Sequence, residues 1–538
     1  MTTQETLLTG GSCFAFMVLV AWFAFRREQR TAAQASVADR YFLAGRSLSG
    51  VFIAGSLLLT NLSAEQLIGL NGSAYAFNLS SMAWEVTAAV AIVVMALVFL
   101  PRYLARGFTT LPEYLEQRFD STTRRLSALL FLVGYSLITI PAVLYAGAVA
   151  VLQLFDVSAQ LNIDRTTALT GIIAAIAGVG AAYAVFGGLR AIAISDTLNG
   201  VGLLVFGALI PYLGLSLLGN GSWLDGCLTL LRAHQEKLNA IGASDDPTPF
   251  GTLFTGMILA NLFYWGTNQY VIQRTLGAAS LAEGQKGVLL SGYFKLLVPL
   301  FMMMPGVIAF HLYGTTLASM DDAYPRLVAD VLPGALSGLF LAVLLGAVFS
   351  SFNSLVNSAA TLLTLDLLEP LRSSPFTDQR RVRVAQIASA IIALASVVMA
   401  PLLDRAPDGL WQVIRTFTGF YNIPIIAIVL AGLFAPRVPA AAAKTVLLFH
   451  VLSYGILRFV WSPDLNFVHQ YALLFLAECL IMVSFARHTP RVPPAQIACA
   501  SPAALDLTPW RHTPLTAGIL LAAVVGLYIV FSPLGIAR

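Results

Sequence analysis

The chain has 538 residues, of which 58% are hydrophobic and 11% are charged, and its mean hydropathy is +0.79. Soluble globular domains carry about 25% charged residues, so this composition excludes a soluble protein and indicates an integral membrane protein with many spans. The formal net charge of +4 excludes no class by itself. The four cysteines, Cys13, Cys227, Cys479 and Cys499, lack metal-ligand spacing and are expected to be unpaired.

Fourteen apolar runs, most of them about 20 residues long, follow one another along the chain. No Lys or Arg precedes the first run, so it is expected to be a retained span rather than a signal peptide. The runs lie near 7–25, 49–75, 79–100, 124–153, 166–187, 194–217, 250–270, 286–313, 333–365, 383–402, 410–435, 442–460, 468–486 and 513–532.

Lys and Arg residues are unevenly distributed over the loops. With the spans taken in alternation, 22 of the 31 lie on the side of the first loop and 7 on the other, while Lys295 and Arg415 fall within spans. Cytoplasmic loops are enriched in Lys and Arg, so the first loop is predicted to be cytoplasmic. The expected arrangement is a multi-pass protein of the cell (inner) membrane with both termini outside the cytoplasm.

Residues 57–70, LLLTNLSAEQLIGL, interrupt the second apolar run with polar side chains, including Glu65 and Gln66. A carboxyl at bilayer depth is costly and is usually there for a function. Small residues let a membrane helix unwind, which frees backbone carbonyls to face a cation. We therefore predict a broken helix that carries an ion and a polar solute. The structural alternative is a re-entrant segment or a polar helix–helix contact.

A second polar interruption, ANLFYWGTNQY, ends the run near 250–270. The two interruptions lie five spans apart and cross the membrane in opposite senses, which is typical of inverted-repeat transporters with a site near the midplane. The predicted division is an extra N-terminal span and cytoplasmic loop at 1–48, five-helix repeats at 49–217 and 250–435, and extra C-terminal spans at 436–538.

A stretch of small polar residues, GAVFSSFNSLVNS, begins at Gly346 in the ninth run. Its hydroxyls at Ser350, Ser354 and Ser358 recur every four residues and so share one helix face. Hydroxyls from this face and carbonyls from residues 57–70 could together bind a hard monovalent cation. Alternatively, the serines only allow close helix packing.

Several polar and aromatic side chains could bind a neutral, hydroxyl-rich solute, because carboxylate, amide and ammonium groups all hydrogen-bond to sugar hydroxyls. The polar candidates are Glu65, Gln66, Glu85, Asn261 and Lys295, and the aromatic candidates are Trp84, Tyr264, Trp265 and Trp411. The aromatic residues could instead belong to the interfacial belts. The charged residues Glu65, Glu85, Lys295 and Arg415 could instead form two internal ion pairs that only hold the bundle together.

Asp196, in ISDTLNG, either guides a cation that leaves the site or caps the start of a span. FGGL at 186–189 is interpreted as a turn between spans. No HExxH motif, phosphate loop with Lys or nucleophile elbow is present in the sequence. The six histidines, His450 among them, are interpreted as lying in loops and at span ends, so an enzyme is not expected.

Five motifs, in this order, resemble the sodium/solute symporters, and most closely the sodium–glucose (sodium–galactose) cotransporter branch. They are NLSAEQLIG at 61–69, FGGLRAIAISD at 186–196, ANLFYWGTNQYVIQRTL at 260–276, AEGQKG at 282–287 and SSFNSLVNSAATLLTLD at 350–366. The resemblance implies an all-α, leucine-transporter-like fold of about 14 transmembrane helices with a 5+5 inverted repeat. It implies sodium-coupled import of a sugar, a hexose such as glucose or galactose, by alternating access. The partners would be sodium, the sugar and the lipid bilayer, with no organic cofactor and no nucleic acid.

The resemblance also assigns roles to individual positions. The implied sodium ligands are the carbonyls of Leu59, Leu62 and Ala347 and the hydroxyls of Ser350 and Ser351. The implied sugar-binding residues are Gln66, Glu85, Asn261 and Lys295, with Tyr264 as an inner gate and Trp84, Leu70 and Trp411 on the outer side. Asp196 would lie on the ion exit route, or in a second sodium site with Asn353 and Ser354.

Two positions depart from the branch: Arg415 stands where Gln is usual, and Ala88 stands where a hydroxyl is usual. Arg is a rigid, permanently charged fork, which could pair with Glu65 or Glu85 or bind a carboxylate on the substrate. Two alternatives therefore remain. One is a sodium symporter of the same fold for a sugar acid or other organic acid bound through Arg415. The other, from a different class, is a transporter-like membrane sensor.

Overall fold

The computed structural model describes residues 10–19, 42–155, 157–317, 320–405, 409–461, 463–489 and 505–537. Within these ranges the backbone is mostly helical and forms no β-strand beyond two isolated bridges, Leu48 with Ala278 and Ser280 with Asp506. The predicted all-α architecture is therefore confirmed. Cys13, Cys227 and Cys479 are free, as predicted, and Cys499 lies outside the described residues.

The helices of at least eight residues fall into two groups along the chain. The first group is α1 (Gly10–Leu19), α2 (Gly50–Asn61), α3 (Ala64–Ala76), α4 (Leu79–Arg106), α5 (Leu111–Arg118), α6 (Ser121–Leu152), α7 (Arg165–Leu218) and α8 (Trp223–Arg232). The second group is α9 (Gly256–Gly266), α10 (Gln269–Leu276), α11 (Leu281–Tyr313), α12 (Ala323–Val331), α13 (Leu336–Leu371), α14 (Asp378–Asp404), α15 (Gly409–Phe434), α16 (Ala440–Trp461), α17 (Phe467–His488) and α18 (Thr513–Val530).

Among the described residues, 10 helices are long and apolar enough to cross a membrane, and α2 with α3 makes an eleventh if this bent pair is one span. The remaining three of the fourteen predicted runs overlap shorter helical segments, namely α1, the first part of α7 and α9. Each predicted run therefore coincides with helical backbone where the structure describes it.

The helix α7 continues for 54 residues through FGGL (186–189), so the predicted turn does not interrupt the helix there. A straight helix of that length would measure about 81 Å. However, a Cβ on Gly180 would touch the ring of Phe352, and one on Gly202 would touch Val343, both on α13. These α13 residues are separated by about 14 Å of helix, whereas a straight α7 would place the two glycines about 33 Å apart. The helix α7 is therefore not straight between Gly180 and Gly202, and it overlaps two of the predicted spans.

The helix α2 packs between α7 and α11. A Cβ on Gly55 would lie 2.6 Å from Thr197 Oγ1 of α7, so only glycine fits at this contact. At the other end, the Gly50 N–H donates to Glu283 Oε2 of α11 at 2.7 Å. Small residues permit such close approach of membrane helices. The packing on both sides fixes where the polar end of α2 lies.

Candidate cation and solute site

The second apolar run is a broken helix, as the sequence predicted. α2 ends at Asn61, α3 begins at Ala64, and the two are bent by 58°. In a continuous helix, the Ser63 N–H would donate to Leu59 O and the Gln66 N–H to Leu62 O. Instead, Ser63 N donates to Asn61 O at 3.0 Å and Gln66 N to Ser63 O at 3.2 Å. The break therefore releases the carbonyls of Leu59 and Leu62 from helical pairing.

The serine-rich face of α13 meets this break. Ser351 Oγ donates to Leu59 O at 3.4 Å, although the two residues are 292 positions apart in the chain. Ala347, Ser350 and Ser351 are related by three and four positions, so they share one face of α13. All three are buried. Released carbonyls and buried hydroxyls are neutral oxygen donors, which is the donor set that fits a monovalent cation.

A polar cavity of about 90 Å³ lies next to the break. Since about 10–15 Å³ of such space holds one water, the cavity has room for several waters or a small polar solute. It is lined by Thr60, Asn61, Glu65, Gln66, Trp84, Glu85, Ala88, Thr139, Ala260, Asn261, Phe263, Tyr264, Trp265, Asn268, Tyr270, Lys295, Ile414, Arg415, Thr418, Tyr421, Asn422 and Tyr471.

Glu85 is the centre of the cavity's polar contacts. It forms an ion pair with Lys295 and accepts from Gln66 Nε2 at 3.2 Å, so α3, α4 and α11 meet at one carboxylate. All three side chains are buried. Among the described residues, Gln66 Oε1 and Glu65 Oε2 have no hydrogen-bond partner. The cavity therefore presents acceptor atoms that suit a ligand with hydroxyl donors.

Aromatic rings form another part of the wall. The guanidinium carbon of Arg415 lies 4.3 Å from the ring centroid of Trp84, whose other neighbour is the stacked ring of Phe467. Lys295 Nζ lies 5.7 Å from the ring centroid of Trp265. Such cation–π contacts hold the two charged groups against fixed rings. Both cations thus face the cavity in defined positions.

Most predicted solute-binding residues converge on this cavity. Glu65, Gln66, Trp84, Glu85, Asn261, Tyr264, Lys295 and Arg415 all line it. Leu70 is fully buried and is outside the lining, and the side chain of Trp411 lies outside the described residues. The convergence supports the predicted roles, which stay predictions.

Several lining residues were missed from the sequence. Asn422 follows Arg415 by seven positions on α15, so helical periodicity could have found it, whereas Tyr421, at six positions, falls outside that pattern. Tyr471 comes from the C-terminal helix α17, which no sequence signal connects with the site. The interpretation of His450 as a loop or span-end residue was wrong, because it lies fully buried inside α16.

Asp196, on α7, contacts α2 before the break and also contacts a fully buried arginine. Asp196 Oδ2 accepts from Ser56 Oγ at 2.7 Å and lies 3.6 Å from Arg274 Nη2. Arg274 also donates to Ser56 Oγ at 2.7 Å and to Ser354 Oγ. A guanidinium therefore already contacts two of the groups predicted for a second sodium site, Asp196 and Ser354. Among the described residues, Asn353 Oδ1 has no hydrogen-bond partner.

We expect Arg274→Lys to destabilise the protein by about 1–3 kcal/mol, because an ammonium cannot replace the hydrogen bonds and the Asp196 contact of a fixed guanidinium and so leaves buried acceptors unpaired. The measurement is thermal unfolding of the purified protein in detergent. The matched control is Arg165→Lys, whose bridge to Asp404 at 3.2 Å involves a half-exposed arginine. It should change stability by less than about 1 kcal/mol. Equal effects of the two variants would contradict a structural role for the Arg274 network.

Comparison with known proteins agrees with this geometry. The family model described as "Sodium:solute symporter family" matches residues 41–448. The "Uncharacterized symporter YidK" of Escherichia coli is 42% identical over 520 residues, covering 96% of this chain and 90% of that protein. The "Sodium/glucose cotransporter" of Vibrio parahaemolyticus is 29% identical over 541 residues, covering 96% of each.

Among solved structures, a substrate-bound, outward-open Na⁺-coupled sialic acid symporter superposes with a TM-score of 0.76 at 19% sequence identity. The match covers 90% of this chain and 99% of that one, so the leucine-transporter-like fold predicted from the sequence is confirmed. The chain therefore belongs to the sodium:solute symporter family and is a sodium-coupled solute symporter.

Proposed function

We propose that this symporter imports a neutral sugar, a hexose such as glucose or galactose, by alternating access. The main support for the proposal is that one broken helix contributes to both the cation site and the solute cavity. Its break releases the Leu59 and Leu62 carbonyls, the first of which accepts from Ser351 of α13, while Glu65 and Gln66, a few residues later, line the solute cavity. Cation and solute thus bind to the same short segment, so binding of one can alter binding of the other.

The proposed cation ligands are the carbonyls of Leu59, Leu62 and Ala347 with the hydroxyls of Ser350 and Ser351. The proposed sugar contacts are Gln66, Glu85, Asn261 and Lys295, because their amide, carboxylate and ammonium groups match hydroxyl donors and acceptors. The name of the Vibrio parahaemolyticus relative, a sodium/glucose cotransporter, favours a neutral sugar.

The coupling is energetically sufficient for accumulation. One sodium ion moving inward across about 100 mV supplies about 2.3 kcal/mol. Since about 1.4 kcal/mol corresponds to a factor of ten, one sodium per sugar supports roughly 50-fold accumulation from the potential alone. We further propose that the two five-helix repeats, 49–217 and 250–435, provide the moving parts and that both termini face away from the cytoplasm.

The direct test is uptake of labelled galactose, glucose and glucuronate by proteoliposomes that contain the purified protein. We expect an inward sodium gradient to raise galactose or glucose uptake at least about tenfold over an equal potassium gradient. A sodium ionophore should remove the difference. Hexose uptake that is the same in sodium and potassium would contradict the proposal.

A sugar acid is the second candidate substrate, because the Arg415 guanidinium lines the cavity where a carboxylate could reach it. The variant Arg415→Gln distinguishes the two candidates. If the substrate is a neutral hexose, we expect galactose uptake to stay within about threefold of wild type. If Arg415 binds a carboxylate, losing a charged hydrogen bond of about 1.5–3 kcal/mol should lower glucuronate uptake about 10- to 100-fold.

A further inference from the structure

Residues 415–422 of α15, called here the cavity-lining turn although they span about two helical turns, include residues that line the cavity. Side chains of two C-terminal helices, α16 and α17, form hydrogen bonds to this turn. Arg415, Thr418, Tyr421 and Asn422 of this turn line the cavity. Three successive side chains on α16 face the same turn at four-residue spacing: His450, Tyr454 and Arg458. Residues spaced by four share one helix face, so these three side chains form a continuous line of contacts between α16 and α15.

Three backbone carbonyls of the turn accept hydrogen bonds from side chains of these helices. Tyr471 Oη of α17 donates to Arg415 O at 2.9 Å, and Tyr454 Oη of α16 donates to Thr416 O at 3.1 Å. His450 Nε2 lies 3.0 Å from Gly419 O. A carbonyl only accepts, so Nε2 of His450 carries the proton in this bond. We call His450, Tyr454 and Tyr471 the carbonyl clamp.

The orientation of the His450 ring is fixed by a buried carboxyl group. His450 Nδ1 lies 2.5 Å from Glu478 Oε1 of α17, and both side chains are fully buried. With Nδ1 directed at Glu478, Nε2 must point to Gly419. The close approach of α16 to α15 also requires a glycine at position 419, because a Cβ there would lie 2.5 Å from Tyr454 Oη.

The regular hydrogen bonding of α15 is interrupted at the end of this turn. Pro424 lies inside α15 and has no N–H, so the carbonyl of Phe420 lacks its regular helical donor. Bends in helices concentrate at such prolines. The side chains of α16 and α17 that donate to the carbonyls of residues 415, 416 and 419 therefore help to determine where the turn lies relative to the cavity.

We propose that the carbonyl clamp positions the cavity-lining turn of α15 and so determines the affinity for the transported solute, although α16 and α17 lie outside the two five-helix repeats. The proposal rests on the proposed function, because it assumes that the solute binds in this cavity. His450 and Tyr454 do not line the cavity, so they act through the turn. Tyr471 lines the cavity as well and has both roles.

The test compares Tyr454→Phe with Tyr293→Phe in the full-length protein. Tyr293 Oη donates to Thr516 O at 2.7 Å, so the control loses the same kind of bond between α11 and a C-terminal helix, at a position that does not line the cavity. Losing a neutral hydrogen bond of about 0.5–1.5 kcal/mol predicts a rise of about 2- to 10-fold in the galactose concentration for half-maximal uptake. The half-saturating sodium concentration should stay within about twofold, and Tyr293→Phe should change neither value.

A second pair of variants separates positioning from folding. His450→Ala should raise galactose half-saturation as Tyr454→Phe does, whereas His450→Gln keeps a donor near the position of Nε2 and should restore it. Hydrogen–deuterium exchange of residues 414–423, measured in nanodiscs without any sugar, should be faster in Tyr454→Phe and His450→Ala than in wild type and Tyr293→Phe.

Exchange of 414–423 that is unchanged in both variants would overturn the carbonyl clamp, whatever the protein transports. Faster exchange with equal changes in galactose and sodium half-saturation would overturn its specific role in solute binding. If the wild-type protein takes up no galactose, that result contradicts the proposed function only. The hydrogen–deuterium exchange experiment then tests the carbonyl clamp independently of the substrate.

Discussion

Lys295→Met is expected to reduce sodium-driven sugar uptake by about 100-fold and to lower stability at the same time. The ammonium group is buried and paired with Glu85, which also accepts from Gln66 Nε2. Removing one partner of a buried ion pair leaves an uncompensated charge and costs about 3–5 kcal/mol. Separately, losing a charged hydrogen bond to a sugar hydroxyl would weaken sugar binding by about 1.5–3 kcal/mol. Uptake in proteoliposomes and thermal unfolding in detergent measure the two effects separately.

The double variant Glu85→Gln/Lys295→Met separates the two roles of the pair. It removes both charges, so no buried charge is left unpaired, and we expect stability to return to within about 1 kcal/mol of wild type. Uptake should remain as low as in Lys295→Met, because both solute contacts are still missing. Recovery of uptake together with stability would show that the pair only holds the bundle together, which is the structural interpretation that the sequence left open.

The sequence was sufficient for the parts of the protein that depend on local chemistry. Hydropathy located the helices, because a membrane span has to be apolar over its length. The polar residues around Asn61 and Glu65 identified the broken helix, since polar groups at bilayer depth are costly and are retained mainly where they serve a site. The carbonyls of Leu59 and Leu62, implied by resemblance, are among those that the break releases from helical pairing.

The contacts between distant segments could not be predicted in the same way. His450 and Tyr471 each have an ordinary apolar neighbourhood in the sequence, and only packing brings them to the carbonyls of α15. The partner of Asp196 is Arg274, 78 positions later, although Arg274 was counted among the loop arginines that set the orientation. Pairing of charges across helices depends on how the helices cross, which a single sequence does not encode locally.

Ser351→Ala is expected to raise the sodium concentration for half-maximal uptake by about 10- to 100-fold. Its hydroxyl reaches Leu59 O, a carbonyl that the break in the helix releases. Removing one oxygen ligand from a cation costs about as much as a hydrogen bond to a charged group, about 1.5–3 kcal/mol, which gives that range. Sodium activation curves at fixed galactose, measured in proteoliposomes, provide the value.

The control for Ser351→Ala is Ser389→Ala on α14. Both serines are buried in membrane helices, but Ser389 Oγ donates to Ala385 O of its own helix at 2.9 Å and has no part in the break. Its removal should leave sodium activation within about twofold of wild type, because that hydroxyl only duplicates a bond the helix already makes. If both variants keep wild-type sodium activation, the cation does not bind between α2 and α13. The released carbonyls would then serve only to bend the helix around the solute.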